Sequence, residues 1–277
     1  MLKDPRKYTA TVNLRGQAVR MAWSFWEGTG GKTPWIFLHG MGSSRWAYAD
    51  LLSRSPLDGR YYALDLPGFG DSGLPAFTQT LGDFREALRQ FIDLLGERAP
   101  VLVGHSFGGM VAGDFAGACP DCVGGLILVS SAGYFSPHNA MSPTPWPWVN
   151  RIGLWVTGMD HWGNRMLGAL GLDPQRIPPE SRRRMRYGWR RAREMARMGK
   201  FYEVPEFVKN IVFSGVPAAA IHGDRDILFP LPEVLQAVGG AFPVLVEPGA
   251  GHLPYDYDMK EFVALLNQAA KAVNPAP

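Results

Sequence analysis

PVLVGHSFGGMVAGDFAG, residues 100–117, joins a short apolar run to a glycine-rich turn and then to a helical pattern. The run from Val101 to Val103 predicts a buried strand, and a helix is expected to begin near Phe107. Between the two lies Gly-x-Ser-x-Gly with Ser106 at its centre, in which the glycines permit close approach of the backbone on either side of the serine. The stretch therefore predicts a nucleophilic serine on a strained turn at the N-terminus of a helix.

Apolar runs of strand length alternate along the chain with amphipathic helical patterns. Two of the helical patterns are long, one from Thr80 to Leu95 and one from Met259 to Val273. Strands that alternate with helices predict an α/β fold whose mostly parallel sheet is covered by helices on both faces. Further strands are expected at Ala18–Phe25, Trp35–Leu38, Tyr61–Leu64, Leu126–Val129, Ala218–Ile221 and Val244–Val246.

The alternation stops between Gly133 and about Lys209. This segment has no clear strand pattern, is rich in Trp and Pro, and contains an arginine run. Because the segment lies between two predicted strands of the sheet, we expect a helical cap, or lid, inserted into one core domain. The predicted core comprises residues 1–133 and 210–277, and the predicted cap comprises residues 134–209.

The pattern at Ser106 requires a histidine that a carboxylate orients, because a serine hydroxyl is a poor nucleophile until a base removes its proton. His252 follows the last predicted strand, in a loop that is expected to carry its imidazole over Ser106. The remaining histidines lie in other motifs, in the predicted cap or at a strand end, and these are His39, His105, His138, His161 and His222. The sequence therefore predicts His252 as the base.

Two aspartates are candidates for the acid, in the stretch AAAIHGDRDILFP, residues 218–230. Asp224 and Asp226 both follow the strand that ends near His222, at the edge where parallel sheets hold their active groups. We favour Asp226, because in Gly-x-x-Asp the glycine makes the turn and the aspartate points back to the histidine. Asp224 is interpreted as a solvated turn residue. The preceding strand end reads LVSSAG and offers no acid.

The tetrahedral intermediate of acyl transfer needs N–H donors for its oxyanion. The stretch IFLHGMGSS, residues 36–44, predicts a strand followed by a His-Gly turn, which makes the backbone N–H of Met41 the first expected donor. The N–H of Phe107, directly after Ser106, is the second expected donor. Backbone donors tolerate any side chain, so a methionine fits this role.

Five motifs, in this order along the chain, resemble those of α/β-hydrolase fold proteins of the cap-bearing esterase, lipase and peptidase-like type: HGMG at 39–42, DLPGFGDS at 65–72, GHSFGG at 104–109, GDRD at 223–226 and GH at 251–252. The resemblance implies an eight-stranded, mostly parallel sheet, a Ser106–His252–Asp226 triad and a structural role for Asp65. A serine nucleophile disfavours the relatives that use aspartate, such as haloalkane dehalogenases and epoxide hydrolases. The implied function is hydrolysis of a carboxylic ester through an acyl-enzyme.

Several alternatives to an ester hydrolase stay open within this resemblance. Lyases and cofactor-free haloperoxidases share the triad, and a ligand-binding protein can retain it without turnover. The Trp and Met residues of the predicted cap favour an apolar acyl or aromatic substrate. No cofactor or metal is expected, because EGTGGKTP lacks the first glycine of a phosphate loop and the sequence contains no metal-ligand cluster. Cys119 and Cys122 are interpreted as structural.

The stretch SRRRMRYGWRRAREMARMGK, residues 181–200, holds nine positive charges and one negative charge, although the net charge of the whole chain is only +3. A 3.6-residue period predicts an amphipathic helix with Trp189 on its apolar stripe and Arg186 and Arg190 on the adjacent basic stripe. We expect these three residues, together with His105, to contact the substrate. The alternatives are a solvated face, docking of an acidic acyl carrier protein by a thioesterase or carrier-dependent esterase, and attraction to an anionic membrane.

Other partners and locations are disfavoured by the composition. One short basic helix offers few phosphate contacts, so nucleic acid binding is not expected. The first ten residues carry four charges and no apolar run, which argues against a signal peptide, and no stretch of about 18 apolar residues is present to span a bilayer. We therefore expect a cytoplasmic protein without stable membrane insertion, acting on a small ester.

Overall fold

Eight strands form one sheet in the computed structural model, which describes residues 4–54, 56–135 and 204–273. They are β1 Arg6–Leu14, β2 Gln17–Glu27, β3 Thr29–Leu38, β4 Asp58–Asp65, β5 Val101–His105, β6 Gly125–Val129, β7 Ala218–Gly223 and β8 Val244–Glu247. Their order across the sheet is β1-β2-β4-β3-β5-β6-β7-β8. The pairs β1–β2 and β2–β4 are antiparallel, and every other pair is parallel. The predicted eight-stranded, mostly parallel α/β sheet is confirmed.

β1 is a strand that the apolar pattern of the sequence did not predict. Its residues, RKYTATVNL, are mostly exposed, and the buried ones are Val12 and Leu14. β1 pairs with β2 in a register that runs from Arg6 opposite Phe25 to Leu14 opposite Gln17. An edge strand with a solvated face contains few apolar residues, so backbone hydrogen bonds to β2 define it better than its own side chains do.

Three helices of the described ranges match the positions that the sequence pattern predicts: Leu81–Leu95, Met259–Val273 and the helix that begins at Phe107. The helix α2, Leu81–Leu95, follows Thr80, whose backbone N–H donates to Asp83 Oδ2 at 2.6 Å, and it is followed by Gly96, whose φ of 65° suits a glycine. None of the helices in the described ranges is long and apolar enough to cross a membrane. The helices are α1 Ala49–Ser53, α2 Leu81–Leu95, α3 Phe107–Ala118, α4 Phe207–Ser214, α5 Leu231–Val238, α6 Pro254–Tyr257 and α7 Met259–Val273, with 3₁₀ turns at Arg45–Tyr48 and Pro120–Cys122.

The sheet separates two apolar clusters, one on each face. Side chains alternate along β5, so Leu102 lies on one face and Val101 and Val103 lie on the other, and all three are buried. Residues of α2, α3 and α4 pack on the face of Leu102, and residues of α1 and α7 pack on the opposite face. A strand that is buried on both faces reads as a continuous apolar run, which explains why β5 is recognisable from sequence.

The chain leaves and re-enters the described core at adjacent positions. The backbone N–H of Val204 donates to the carbonyl oxygen of Gly133 at 3.1 Å. α4 starts at Phe207, inside the range predicted for the cap, and packs on α3, where a Cβ added to Gly113 would lie 2.4 Å from the Phe207 ring. Residues 136–203 lie outside the described residues, so the cap and its bounds stay a prediction.

A buried ion pair joins the 3₁₀ turn that follows β3 to the last residue of β4. Asp65 accepts hydrogen bonds from the backbone N–H groups of Arg45, at 2.6 Å, and of Asp71, at 2.8 Å, and its carboxylate also contacts the Arg45 guanidinium. Arg45 and Asp65 are both buried, whereas the Asp71 side chain, which also pairs with Arg45, is 64% exposed. These contacts support the structural role expected for Asp65.

Asp65→Ala is expected to lower the free energy of unfolding by about 3–5 kcal/mol, because it leaves the buried guanidinium of Arg45 without its main partner. Asp71→Ala is the matched control, with an expected cost of about 1 kcal/mol or less because that carboxylate is largely solvated. Urea unfolding followed by circular dichroism measures both values. Equal losses in the two variants would contradict the structural role of Asp65.

Candidate active site

Ser106 lies between β5 and α3 in a conformation that non-glycine residues rarely adopt, with φ of 51° and ψ of −117°. A Cβ on Gly104 would lie 2.5 Å from the carbonyl oxygen of Gly108, and a Cβ on Gly108 would lie 2.3 Å from that of Leu38, so glycines are needed on both sides. Such a backbone costs about 1–3 kcal/mol and persists only when its surroundings hold it. One of the contacts that hold this backbone conformation is the hydrogen bond from the Ser106 N–H to the carbonyl oxygen of Val129, at 3.0 Å.

A chain of hydrogen bonds runs from Ser106 through His252 to Asp226. His252 Nε2 lies 3.0 Å from Ser106 Oγ, and His252 Nδ1 lies 2.8 Å from Asp226 Oδ2. All three residues are buried, with exposed fractions of 9% for Ser106 and 3% for Asp226. Because a carboxylate only accepts, the proton of neutral His252 lies on Nδ1, and Nε2 is left to accept the Ser106 hydroxyl proton.

The surroundings of Asp226 favour its ionised form. Its Oδ1 accepts the backbone N–H groups of Leu228, at 2.9 Å, and of Phe229, at 3.1 Å. Burial opposes the charge, but the interactions with His252, with His222 and with the Phe229 N–H outweigh it, and the pKa of Asp226 lies below its ordinary value. A fixed, ionised carboxylate is what the orientation of His252 requires.

Asp224 and Asp226 have different partners. Asp224 is exposed, and its Oδ1 accepts the backbone N–H of Gly249 at 2.7 Å. It therefore fastens the loop after β7 to the loop that carries His252, a partner that the sequence analysis did not foresee. Asp226 contacts the imidazole itself, in agreement with the preference for it, and its catalytic role stays a prediction.

His222 is a neighbour of Asp226 that sequence reasoning did not connect with the site. Its Nε2 lies 2.7 Å from the carbonyl oxygen of Phe229 and 3.6 Å from Asp226 Oδ2. Burial lowers the pKa of His222, which keeps the ring neutral. The Nε2 proton points at the carbonyl, so this imidazole braces the turn that presents Asp226. The available signal was its spacing of four residues before Asp226.

The two expected oxyanion donors follow the ends of β3 and β5. Phe107 is the first residue of α3, and Met41 follows the turn at His39 and Gly40. His39 Nε2 accepts the backbone N–H of Leu66 at 3.1 Å, so its Nδ1 carries a proton and donates to the carbonyl oxygen of Gly40 at 2.8 Å. In a trans peptide the N–H points away from the preceding carbonyl, so this bond fixes the direction of the Met41 N–H. The oxyanion role of both N–H groups stays a prediction.

His105, expected to contact the substrate, is buried next to the loop of His252. Its imidazole is buried, with Nε2 2.8 Å from the main-chain oxygen of His252 and Nδ1 3.4 Å from the Tyr255 hydroxyl. The ring therefore contacts the loop that carries the expected base, and the expected contact of His105 with substrate stays a prediction. The other expected substrate contacts, Trp189, Arg186 and Arg190, lie outside the described residues.

Glu247 ends β8, directly before the loop that carries His252. It is 1% exposed, and neither of its carboxyl oxygens makes a well-formed hydrogen bond within the described part of the chain. Burial, with a further contribution from the carboxylates of Asp258 and Glu261, raises the pKa of Glu247 to about 8. The folded protein thus keeps this carboxyl protonated at pH values where the unfolded chain releases the proton.

Glu247→Gln is expected to stabilise the protein at high pH, by about 1–3 kcal/mol at pH 9. Because the folded-state pKa is raised above the unfolded value, the unfolded chain loses this proton first between about pH 4.5 and pH 8, and the native free energy of unfolding falls over that window. Urea unfolding of both proteins at pH 5 and pH 9 measures the difference, with exposed Glu27→Gln as control. A difference that does not grow with pH would contradict this account.

The arrangement of these side chains is suited to acyl transfer. His252 can take the Ser106 proton while Oγ attacks a carbonyl carbon, and Asp226 stabilises the imidazolium that forms. Aromatic rings adjoin the base, with the Phe229 centroid 5.6 Å from that of His252 and the Phe135 centroid 5.9 Å from that of Phe229. Residues 4–54, 56–135 and 204–273 hold no group of three or more His, Cys, Asp or Glu side chains placed to bind a metal ion.

Sequence comparison relates the chain to one family. The model described as "Alpha/beta hydrolase family" matches residues 35–265. Human 1-acylglycerol-3-phosphate O-acyltransferase ABHD5 is 33% identical over 165 residues, which cover 55% of this chain and 46% of that protein. The pimeloyl-[acyl-carrier protein] methyl ester esterase of Proteus mirabilis (strain HI4320) is 31% identical over 131 residues, or 45% of each chain. The chain spans about half the length of the curated relatives it matches.

Solved structures show the same fold at low sequence identity. A membrane phospholipase A, described as a bacterial virulence factor, has a TM-score of 0.78 and 20% identity, covering 98% of this chain and 87% of that one. Carboxylesterase CesB from Bacillus subtilis has a TM-score of 0.73 and 18% identity, covering 95% of this chain and 91% of that one. An esterase from Thermogutta terrifontis has a TM-score of 0.73 and 22% identity, covering 96% and 99%.

Proposed function

Because the chain belongs to the alpha/beta hydrolase family, we propose that it is a serine hydrolase that cleaves carboxylic esters. The observation that carries the proposal is the hydrogen-bonded chain from Ser106 through His252 to Asp226, built on a strained strand-to-helix turn. The phospholipase and the esterases of the same fold, and the methyl ester esterase among the sequence relatives, are consistent with it.

The first half of the reaction forms an acyl-enzyme. Ser106 Oγ attacks the ester carbonyl carbon while His252 Nε2 takes the hydroxyl proton, and Asp226 stabilises the resulting imidazolium. The carbonyl oxygen becomes an oxyanion that the N–H groups of Met41 and Phe107 hold. When the tetrahedral intermediate collapses, the bond to the alcohol oxygen breaks, and His252 returns its proton to the departing alcohol.

The second half releases the acid. Water gives a proton to His252 Nε2 and attacks the acyl carbon, and the bond to Ser106 Oγ then breaks as the serine regains its proton. An acyl-enzyme of this kind can pass its acyl group to an alcohol in place of water, which would be an acyl transfer to oxygen, the class of reaction in the name of one relative. We propose water as the acceptor here, because the fold relatives described above are hydrolases.

We propose an apolar acyl or aromatic substrate. Aromatic rings adjoin the expected base: the Phe229 ring lies 5.6 Å from that of His252, and the Phe135 ring lies 5.9 Å from that of Phe229. The segment 134–209, which separates β6 from β7, is rich in Trp and Pro. Aromatic side chains next to a site favour substrates with an apolar acyl chain or ring, whose carbonyl group is the polar part that the enzyme binds.

A second candidate is an esterase or thioesterase that acts on an acyl group attached to an acidic carrier protein. Two observations favour it: the nine positive charges within residues 181–200, and the relative named for a pimeloyl-[acyl-carrier protein] methyl ester. Clustered arginines attract an acidic partner and raise its association rate in a salt-dependent way. The chemistry at Ser106 would be the same in both candidates.

A substrate panel is expected to show highest kcat/KM on neutral nitrophenyl esters with apolar acyl groups, by about tenfold or more over matched carboxylate-bearing esters. Acyl thioesters on an acyl carrier protein form the third arm, assayed at low and high salt. A strong, salt-sensitive preference for the carrier-linked substrate would favour the second candidate. Labelling of Ser106 by a fluorophosphonate without turnover of any ester would contradict both and favour a lyase, a haloperoxidase or a ligand-binding protein.

A further inference from the structure

The His105 imidazole packs against that of His252, and its contacts have no part in the reaction described above. The two ring centroids are 4.9 Å apart, and His105 Nε2 lies 2.8 Å from the main-chain oxygen of His252. This contact spans 147 positions of sequence. It joins the last residue of β5, directly before Ser106, to the loop residue expected to be the base.

The hydrogen-bond partners of His105 determine where its proton lies. A main-chain carbonyl only accepts, so Nε2 carries the proton, and Nδ1 is free to accept the Tyr255 hydroxyl at 3.4 Å. Burial lowers the pKa of His105 to about 3, with a further contribution from His252. The ring therefore stays neutral at ordinary pH and donates to His252 in every step of the reaction.

Close packing leaves the His105 ring little freedom. A Cβ on Gly40 would lie 2.7 Å from His105 Nδ1 and 3.3 Å from Ser106 Cβ, so the turn after β3 abuts the ring. The Tyr255 ring packs edge-on against it at a centroid distance of 5.2 Å and is itself buried. A ring held on these sides presents its N–H in a fixed direction.

We propose that His105 is a positioning residue: its Nε2–H holds the main chain of His252 so that the imidazole faces Ser106 and Asp226 together. His252 lies in a loop rather than in a helix or strand, so its backbone has no regular ladder of hydrogen bonds to hold it. Because His105 precedes Ser106 at the end of β5, its hydrogen bond to the His252 carbonyl fixes the position of the His252 loop relative to Ser106. The inference rests on the proposed function, because it assigns a partner to the base of that reaction.

The test compares two substitutions that differ in the donor. His105→Phe keeps a ring and removes the donor, whereas His105→Gln places an amide N–H near the position of Nε2. We expect His105→Phe to lower kcat by ~10- to 100-fold with KM changed by less than about threefold, because a base displaced by a fraction of an ångström transfers the proton less well. His105→Gln should recover most of the lost kcat. Tyr255→Phe, which removes the hydroxyl at Nδ1 and leaves Nε2–H in place, should cost about threefold or less.

A second pair of variants covers the case in which phenylalanine does not fit. His105→Met has nearly the shape of His105→Gln and lacks the amide, so the ratio of their kcat values isolates the donor. The rate of fluorophosphonate labelling of Ser106, which depends on the same base, should follow the same order. Equal kcat in the Gln and Met variants, or native kcat in the Phe variant, would overturn the positioning role.

Nitrogen-15 spectra of the histidine rings make the two proposals separable. In the native protein His105 should be the neutral tautomer with its proton on Nε2 at every pH from 5 to 9, and an Nδ1–H tautomer would overturn the positioning role whatever the turnover. If the native protein neither hydrolyses esters nor labels at Ser106, the proposed function fails. If it does both and the donor pair shows no difference, only the role of His105 fails.

Discussion

Ser106→Ala should lower kcat for short nitrophenyl esters by on the order of 10⁴- to 10⁶-fold, because it removes the hydroxyl oxygen that is placed to form the acyl-enzyme. The Oγ of Ser106 lies 3.0 Å from His252 Nε2, and no other serine in the described part of the chain forms a hydrogen bond with that nitrogen. Alanine keeps the strained backbone with φ of 51°, so the loss is chemical rather than structural. Initial rates with nitrophenyl butyrate, measured on purified protein, give the value.

The matched control for this variant is Ser131→Ala. Ser131 is also a buried serine close to the nucleophile turn, but its hydroxyl donates to the carbonyl of Ala132 at 2.7 Å. We expect its kcat to stay within about tenfold of native, since it changes packing and one neutral hydrogen bond. A Ser106→Ala variant with the native rate would mean that the nucleophile is elsewhere, and the proposed function would fail.

Asp226→Asn is expected to lower kcat by roughly 10³- to 10⁴-fold while the fold is retained. An asparagine has the size of the aspartate, but its amide cannot stabilise the imidazolium and can present an N–H to His252 Nδ1. The imidazole then turns to the tautomer with the proton on Nε2, which cannot accept the Ser106 proton. The partners of Asp226 stabilise its charge despite burial. The asparagine of the variant carries no charge, so the attraction between the carboxylate and the His252 imidazolium is lost.

Asp224→Asn is the control for the acid, because the two aspartates lie two positions apart in one loop. Its side chain is exposed and accepts one backbone N–H, that of Gly249, a bond that an asparagine oxygen also makes. We expect kcat within about tenfold of native, and a small shift in melting temperature. The comparison of the two kcat values is the measurement. A larger loss in Asp224→Asn than in Asp226→Asn would reassign the acid to Asp224.

Much of the fold was predictable because its strands are buried on both faces. All residues of β5 and β6 are buried, and none of them has a polar side chain except His105 at the end of β5. Continuous apolar runs of this kind are easy to recognise in a sequence. β1 was missed because its side chains are largely solvated and its strand character comes from pairing with β2. Because backbone pairing does not require apolar side chains, an edge strand of this kind is hard to recognise from the amino-acid composition.

The site was partly predictable for a similar reason. The turn at Ser106 was predictable because the spacing of its glycines and the change from a strand pattern to a helix pattern indicate its backbone conformation. The choice between Asp224 and Asp226 was harder, because both occupy the same loop and either spacing fits a turn. The contact of His105 with the loop of His252 was not evident from sequence, since a residue next to the nucleophile can face either the substrate or that loop.

Local patterns were sufficient for most of the strands and for the long helices along the chain, and for the strained turn at Ser106, because each depends on side-chain period or backbone conformation over a few residues. Only the folded chain decided which groups meet. The bonds from His252 reach 146 positions to Ser106 and 26 to Asp226, and the bond from His105 to the His252 main chain is equally long-range. Contacts of this range depend on how the strands order themselves in the sheet, with β5 and β7 on either side of β6, and no local period encodes that order.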